Sequence, residues 1–250
     1  MRATLFIILA LLGCSCSSAT LFDDQLRELT EFLRLQMRCG YPPLGIPVLA
    51  PAQLAYKQLN IKTESLACQG NFTDLSIVGL DSFEFRQLNW NNVLHKIRFD
   101  LNFPSIKLTS SKYQLDILSR LFGSDFSLWG DGVFDLELLN LRANGSFIIR
   151  PSGLTHGTHI KSWKVDWQLG AANSKITGIM GSRLWSKFVN DIINEFFELT
   201  INDNPEEVAD FMQQLIVPPM NAALENVAWY EITAVILGLV KGVLPVEPIC

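Results

Sequence analysis

Charge and histidine are scarce in this sequence. Charged residues make up 18% of its 250 residues, the net charge is −5, and there are three histidines. No basic cluster offers a site for nucleic acid or for an anionic membrane, so we expect neither partner. His156 and His159 stand close together without a third ligand at a suitable spacing, and no metal site is expected. His95 alternates within a strand pattern and is expected to be exposed.

The sequence also lacks the motifs of common catalytic sites. It has no Gly-x-Ser-x-Gly elbow, no phosphate-binding glycine loop and no zinc-protease helix. Spacing alone nominates no pair of carboxylates for acid–base chemistry. We therefore predict a non-enzymatic protein without a cofactor. A lipid-acting enzyme, with a site assembled in space rather than in sequence, is the alternative.

No apolar run is long enough to span a membrane, which takes about 20 residues. Arg2, the apolar run Leu5–Leu12 and the small residues at 17–19 predict a secretory signal over residues 1–19. The segment 11–14 also resembles a bacterial lipoprotein box, which is the competing interpretation. The apolar tail, 232–244, is expected to pack against the protein. We thus predict a secreted protein with one domain over 20–250 and no stable membrane insertion.

Few cysteines remain after the predicted signal. They are Cys39, Cys68 and Cys250. Secretion permits disulfides, and we expect Cys39 to pair with Cys68, which leaves Cys250 free, capped or intermolecular. Two sequons predict N-glycosylation at Asn71 and Asn144.

The hydrophobic periodicity divides the chain into three parts. Apolar residues at helical spacing predict an amphipathic helix over 21–38. From 71 to 169 the period is two, which favours an antiparallel meander with turns at 123–125, 130–132, 144–145 and 151–153. From 182 the helical period returns, Asn204 and Pro205 open a further helix, and Pro218-Pro219 is expected to break or kink it.

Apolar aromatic surface is what the sequence has in excess. It contains 16 Phe and 6 Trp, and hydrophobic residues make up 48%. Burying a lipid tail gains about 0.8 kcal/mol per CH₂, so a mostly apolar pocket suffices for binding. The predicted pocket walls are seven residues, each of which also suits an ordinary core. They are Phe99, Phe103, Phe134, Trp163, Trp167, Phe188 and Ile192.

The order of elements resembles a known group of secreted proteins. An N-terminal helix leads into Gly45-Ile46-Pro47-Val48-Leu49-Ala50-Pro51, followed by a strand ending Ile77-Val78-Gly79-Leu80 and the alternating strand 97–103. This order is similar to that of insect juvenile-hormone-binding and takeout-like proteins and mite group 7 allergens, members of the tubular lipid-binding superfamily. The absence of a cysteine pair near the mature N-terminus favours the group-7-like branch.

The resemblance implies an α+β fold in which a strongly curved antiparallel sheet wraps around a long C-terminal helix. It also implies a secreted carrier of a terpenoid, fatty acid or similar lipid. The alternative function is an extracellular interaction or pattern-recognition protein. It would bind a bacterial lipid or a protein partner through an exposed apolar patch.

Overall fold

The computed structural model describes residues 15–40, 47–62, 66–91, 93–121, 124–153 and 157–236. The elements, in chain order, are helix α1 (Ser15–Gln36), strands β1 (Ala52–Lys62), β2 (Leu66–Val78), β3 (Glu84–Asn91), β4 (Lys96–Leu121), β5 (Ser124–Pro151), β6 (Thr158–Gln168) and β7 (Ala171–Ser174), and helices α2 (Arg183–Asp203), α3 (Pro205–Leu224) and α4 (Trp229–Ile236). The predicted signal lies mostly outside these residues, as do the tail from residue 237 and Cys250.

All seven strands belong to one antiparallel sheet. The order is β1-β2-β4-β5-β6, β3 pairs with β4, and β7 pairs with β5. Strands β1 and β6 stand at opposite ends of this order, so the sheet does not close into a barrel. The predicted antiparallel meander is confirmed.

Strands β4 and β5 are much longer than the sequence pattern indicates, at 26 and 28 residues. The turns predicted at 130–132 and 144–145 are wrong, because β5 runs through both. Glycines of β5 instead allow neighbouring parts of the protein to lie close to the strand. A Cβ on Gly130 would clash with the Tyr113 ring, and a Cβ on Gly132 would clash with the carbonyl of Thr177.

Strand β1 lies before the predicted meander. It pairs with β2 from Ala52↔Ile77 to Lys62↔Ala67. Side chains on both of its faces are exposed, including Leu54 and Tyr56. An edge strand held by backbone pairing on one side needs no alternation of apolar and polar residues, so its sequence carries little signal.

The N-terminal helix is confirmed, with its end at Gln36. Asp23 fixes it on β3, since its carboxylate accepts hydrogen bonds from Trp90 N at 2.8 Å and from Asn89 Nδ2 at 2.9 Å. After the helix, the carbonyl of Met37 accepts from the N–H groups of Leu49 and Ala50.

The predicted long C-terminal helix is shown in part, because its length is divided between two helices of similar length, α2 and α3. Asn204, with φ −122° and ψ 55°, separates α2 from α3, and Pro205 occupies the first turn of α3, as predicted. Of the break or kink predicted at Pro218-Pro219, the break is wrong, because α3 continues to Leu224. It is anchored beyond the prolines by Asn221, whose Oδ1 accepts from Ile160 N at 2.7 Å.

The predicted Cys39–Cys68 disulfide is wrong. Cys39 is disulfide-bonded, but Cys68 is a free, buried thiol. Cys68 pairs with Ile117 far along β4, whereas α1, which precedes Cys39, packs on β3 beside the start of β4. The fold therefore places these two cysteines in different parts of the molecule.

Candidate ligand-binding site

Strands β3, β4, β5 and β6 share one continuous apolar face. Residues paired across antiparallel strands project from the same face of a sheet, and three such rows cross these strands. Every position in them is apolar or glycine. The rows are Trp167, Ala143, Leu101, Phe85; Val165, Gly145, Phe99, Leu88; and Trp163, Phe147, Ile97, Trp90.

Three helices cover this face. Side chains from all three pack against the rows, and we call the rows together with these side chains the inner cluster. The helical members are Leu26 and Leu29 of α1, Val208, Met212 and Ile216 of α3, and Trp229 and Ile232 of α4. Close approach at Gly157, where a Cβ would clash with the carbonyl of Glu225, keeps the end of α3 against the start of β6.

The rings of the inner cluster pack in defined pairs. Trp163 stacks on Phe147 with centroids 5.8 Å apart and planes at 23°, and Phe99 lies 6.0 Å from Phe147 and 6.4 Å from Trp163. Trp90 stacks on Trp229 of α4 at 5.9 Å. Aromatic contacts of this kind add to the area that each ring buries.

Two tryptophans of β6 carry buried polar atoms on this apolar face. Within the described part of the chain, Trp163 Nε1 and Trp167 Nε1 have no hydrogen-bond partner. Thr158 Oγ1, at the start of the same strand, also lacks one. Such groups are rare in folded proteins, because an unpaired buried donor costs about 1–3 kcal/mol.

A small apolar cavity of about 220 Å³ adjoins the inner cluster beside α1. Phe83 lines it and packs edge-to-face on Phe85 at 5.1 Å and on Phe103 at 5.7 Å. Its volume is below the roughly 300–1,000 Å³ of drug-sized ligand sites, so it suits one end of a lipid rather than a whole molecule. The other lining residues are Thr30, Leu33, Arg34, Gln36, Met37 and Leu49.

A second depression, of about 310 Å³, lies on β1 and β2 and has a mainly polar lining that includes Gln58, Gln69, Asn71 and Asp116. Asn71, a predicted glycosylation site, is half-buried there, and its Nδ2 lies 3.5 Å from Gln114 Oε1. Asn144, the other predicted site, is exposed on β5 opposite Asp166. The polar lining makes this depression a poor match for an apolar ligand.

Helix α2 docks on the sheet edge through polar side chains. Asn190 accepts from Ile176 N at 2.9 Å and donates to Ile176 O at 2.8 Å. Asn202 makes the same pair of bonds with Leu169, each 2.9 Å long. Asn194 accepts from Ser174 N at 2.6 Å. The spacing of about four residues puts these amides on one side of the helix.

The opposite side of α2 is an apolar stripe open to solvent. Leu184 is 81% exposed and Phe188 is 54% exposed. We call the exposed members of this side the α2 stripe. They are Leu184, Trp185, Phe188, Ile192, Phe196 and Leu199.

The structure places the seven predicted pocket residues in different parts of the molecule. Phe99, Trp163 and Trp167 meet in the inner cluster. Phe103 contacts Phe83 at the cavity beside α1. The other three lie outside the inner cluster and the cavity. Phe134 packs on Phe72 and Tyr113 in a second cluster, and Phe188 and Ile192 belong to the α2 stripe.

Sequence reasoning missed most of the inner cluster, since only Phe99, Trp163 and Trp167 of its members are among the predicted pocket walls. Trp90 and Leu88 alternate on β3, and this alternation is the signal that could have identified them. Phe147 was hidden because the preceding Asn144-Gly145 was interpreted as a turn. Val208 and Met212 had helical periodicity, but nothing in the sequence indicates that α3, rather than α2, faces β6.

Asp100 and Arg142 form an ion pair on β4 and β5, next to the rows in sequence. Arg142 donates from Nε to Asp100 Oδ1 at 2.8 Å and from Nη2 to Asp100 Oδ2 at 2.6 Å. These bonds are the largest cause of a lowered pKa at the Asp100 carboxyl. Arg142 is on the sheet face away from the rows, because it follows Leu141 and precedes Ala143 of the inner face.

His95 is not the exposed strand residue that the pattern predicts. It lies in the turn before β4, half-buried, with its ring 4.1 Å from that of Trp229. Its Nδ1 is 2.9 Å from Arg150 Nη1. Burial and then the Arg150 charge lower the pKa of His95.

The described residues lack two further features. Among them, no three His, Cys, Asp or Glu side chains group closely enough to hold a metal ion. None of the helices there combines the length and the hydropathy needed to cross a membrane.

Comparisons with known proteins support the fold. The family model described as haemolymph juvenile hormone binding protein matches residues 12–234. The crystal structure of Epiphyas postvittana Takeout 1 matches with a TM-score of 0.55 and 15% identity over 81% of this chain and 92% of that one. A lipopolysaccharide binding protein structure matches at 12% identity over 80% of this chain and 39% of that one, with a TM-score of 0.33 that supports no argument. No curated protein sequence matches.

The predicted resemblance and the predicted α+β fold with its large antiparallel sheet are confirmed by the family and structure matches. The matched family is one of binding proteins, so the prediction of a non-enzymatic protein is confirmed at the level of the family. The group-7-like assignment stays a prediction.

Proposed function

This chain belongs to the haemolymph juvenile hormone binding protein family, and we propose that it is a secreted carrier of a small hydrophobic ligand, a terpenoid, fatty acid or similar lipid. The ligand would lie in the apolar interior between the sheet and its covering helices. At family level, binding of small hydrophobic ligands is established.

The observation that carries the proposal is the inner cluster together with the cavity that adjoins it. The rows of the sheet present an unbroken apolar face over four strands, and Phe83 and Phe103 extend aromatic surface to the cavity of about 220 Å³. A chain-like ligand with one end in this cavity would bury its CH₂ groups at about 0.8 kcal/mol each.

Filling the cavity tests the proposal. Leu49 lines the cavity, whereas the neighbouring Val48 is 45% exposed and does not. We expect Leu49→Trp to bind fatty acids about tenfold more weakly than the wild type, because the larger side chain takes the space of about two CH₂ groups. The affinity is measured by displacement of a fluorescent probe, N-phenyl-1-naphthylamine.

The matched control is Val48→Trp, which should bind as the wild type does. Folding of both variants is checked by circular dichroism. Equal binding by the two variants would show that the cavity is not part of the binding site. A wild-type protein that takes up no lipid would refute the carrier function.

The α2 stripe supports one alternative, an extracellular interaction protein that binds a bacterial lipid or a protein through its surface. Phe188→Asp combined with Phe196→Asp would then abolish attachment to vesicles of bacterial lipid. The carrier function predicts instead that this double variant keeps its uptake of the fluorescent probe.

A further inference from the structure

Cys39 lies just after α1 and is disulfide-bonded within a single chain. Its N–H donates to the carbonyl of Gln36 at 3.0 Å, so it stays within one turn of the last residue of the helix. The sequence contains five cysteines. The partner of Cys39 is therefore one of the other four, and the positions of three of them can be compared with that of Cys39.

Three of the four are excluded as partners. Cys68 is a free thiol. Cys16 lies in the first turn of α1, and Cys14 directly precedes the helix. The length of α1 therefore separates both from Cys39, and it is about 30 Å at 1.5 Å per residue. The Cα atoms of a disulfide are about 4.4–6.8 Å apart, so neither cysteine can reach Cys39 while α1 is intact.

The remaining cysteine is Cys250, at the end of the chain. We propose that Cys39 and Cys250 form a disulfide that ties the C-terminal end of the chain to the end of α1. Cys250 lies outside the described residues, and its assignment follows from the bonded state of Cys39 and the exclusion of the other three. The bond brings the last residue of the chain next to the cavity beside α1, since Gln36 and Met37 line that cavity.

The chain after α4 is long enough to make this bond. Helix α4 ends at Ile236 and contacts α1, and the inner cluster contains Leu26 and Leu29 of α1 together with side chains of α4. From Leu29 to Cys39 the distance is about 15 Å at the rise of a helix. The roughly 14 residues after Ile236 can span about 46 Å when extended. This length exceeds the distance that the bond requires.

Formation of the bond requires an oxidising compartment, which the proposed secretion provides. The two thiols join as one S–S bond and lose two protons and two electrons. A disulfide oxidant of the secretory pathway accepts both by thiol–disulfide exchange and leaves as a dithiol. This inference rests on the secreted location in the proposed function and needs no ligand, so lipid uptake is measured separately.

Peptide mapping of the non-reduced, full-length secreted protein tests the bond in the wild type. Free thiols are alkylated in denaturant, and trypsin then cleaves after lysine and arginine. We expect the peptide 39–57 to be joined to the peptide 242–250, and the two to separate on reduction. The peptide 63–86, which contains Cys68, should carry the alkyl group. This result does not depend on the folding of any variant.

Variants measure what the bond contributes to stability. Cys39→Ser, Cys250→Ser and the double variant should all lose about 10 °C in Tm, because each opens the same loop of roughly 210 residues. The control is reduction with tris(2-carboxyethyl)phosphine. It should lower the Tm of the wild type to that of Cys250→Ser and leave the Tm of the variant unchanged.

Several results would overturn the inference, and they differ in their reach. Mapping that joins Cys39 to Cys14, to Cys16 or to a second chain, or that finds Cys39 and Cys250 alkylated, would refute the bond while the carrier function stands. Unequal losses of Tm in the two single variants would show that the two cysteines do not act as a pair. If cells do not secrete the protein, the secreted carrier function fails, and the bond fails with it.

Discussion

The side-chain amide of Asn190 makes both backbone hydrogen bonds that a neighbouring strand would make with Ile176, at 2.9 and 2.8 Å. Asn202 repeats this arrangement at Leu169. Helix α2 thus satisfies an edge of the sheet with polar side chains, while another side of the helix, which includes Val189, packs on the neighbouring core. This is why the α2 stripe can remain exposed without loss of the docked position.

Asn190→Leu is expected to lower the free energy of unfolding by about 2–3 kcal/mol. The substitution leaves the N–H and C=O of the buried Ile176 unpaired, and each unpaired group costs about 1–3 kcal/mol, partly offset by the apolar side chain. Denaturant titration followed by circular dichroism measures the change.

The control for this variant is Asn173→Leu, since Asn173 is exposed on β7. Its effect should stay within about 0.5 kcal/mol, as for other surface substitutions. Similar losses in both variants would mean that the amide of Asn190 does not hold α2.

The ion pair of Asp100 and Arg142 is expected to contribute more to the free energy of unfolding than the pair of Lys187 and Asp191. Asp100 is buried and bonded through both oxygens, whereas Lys187 and Asp191 are exposed on α2. Asp100→Asn should destabilise by about 2 kcal/mol, because Arg142 loses its partner, and Asp191→Asn by less than about 0.5 kcal/mol.

The Asp100 pair also has a pH signature. The pKa of the Asp100 carboxyl is lowered in the folded protein, chiefly by its hydrogen bonds with Arg142. Its contribution is therefore present above the unfolded pKa of about 3.9 and is lost as pH falls through the folded pKa. Acid unfolding that is the same for wild type and Asp100→Asn would contradict this account.

Much of the fold was predictable because burial leaves a period in the sequence. The alternation at 97–103 and 163–167 and the helical spacing in α1 each reflect one buried face, and each predicted the correct element. The fold is not predictable from the pattern where one residue type suits two different backbone structures. Asn144 and Gly145 suit a tight turn, but here they lie within β5, where Gly145 allows the close approach of Lys164 on β6.

The site was less predictable than the fold. Trp163 and Trp167 were identified from alternation alone, and they do lie together in the inner cluster. Phe188 and Ile192 have an equally strong pattern, yet they are exposed. The difference lies in asparagines of α2 that bind the sheet edge, and the hydrophobic pattern does not contain that information.

His95 is expected to make stability depend on pH. Its pKa is lowered by burial and by Arg150, so the unfolded chain binds the proton more readily. Stability should be full above the unfolded pKa of about 6.5, fall by at most about 1.4 kcal/mol per pH unit below it, and level off below the folded pKa.

The variant His95→Gln should remove this slope, and His159→Gln should retain it. Both are measured as the midpoint of denaturant unfolding between about pH 7.5 and 5, a window around the ordinary histidine pKa. A slope that survives in His95→Gln would assign the effect to another group.

The thiol of Cys68 is expected to be unreactive in the native protein. It is buried between β1 and β4, and burial followed by the Asp116 charge raises its pKa, so the reactive thiolate is rare at neutral pH. Alkylation with iodoacetamide should label Cys68 only after unfolding in denaturant. Peptide mapping of non-reduced protein that shows Cys39 joined to Cys68 would contradict the structure directly.

The carrier function is tested most directly by mass spectrometry of an organic extract from the full-length, freshly secreted protein. The account predicts a stoichiometric apolar molecule, such as a terpenoid or a fatty acid. If the extract of folded protein is empty, and the protein then takes up no lipid from solution, the central claim is wrong.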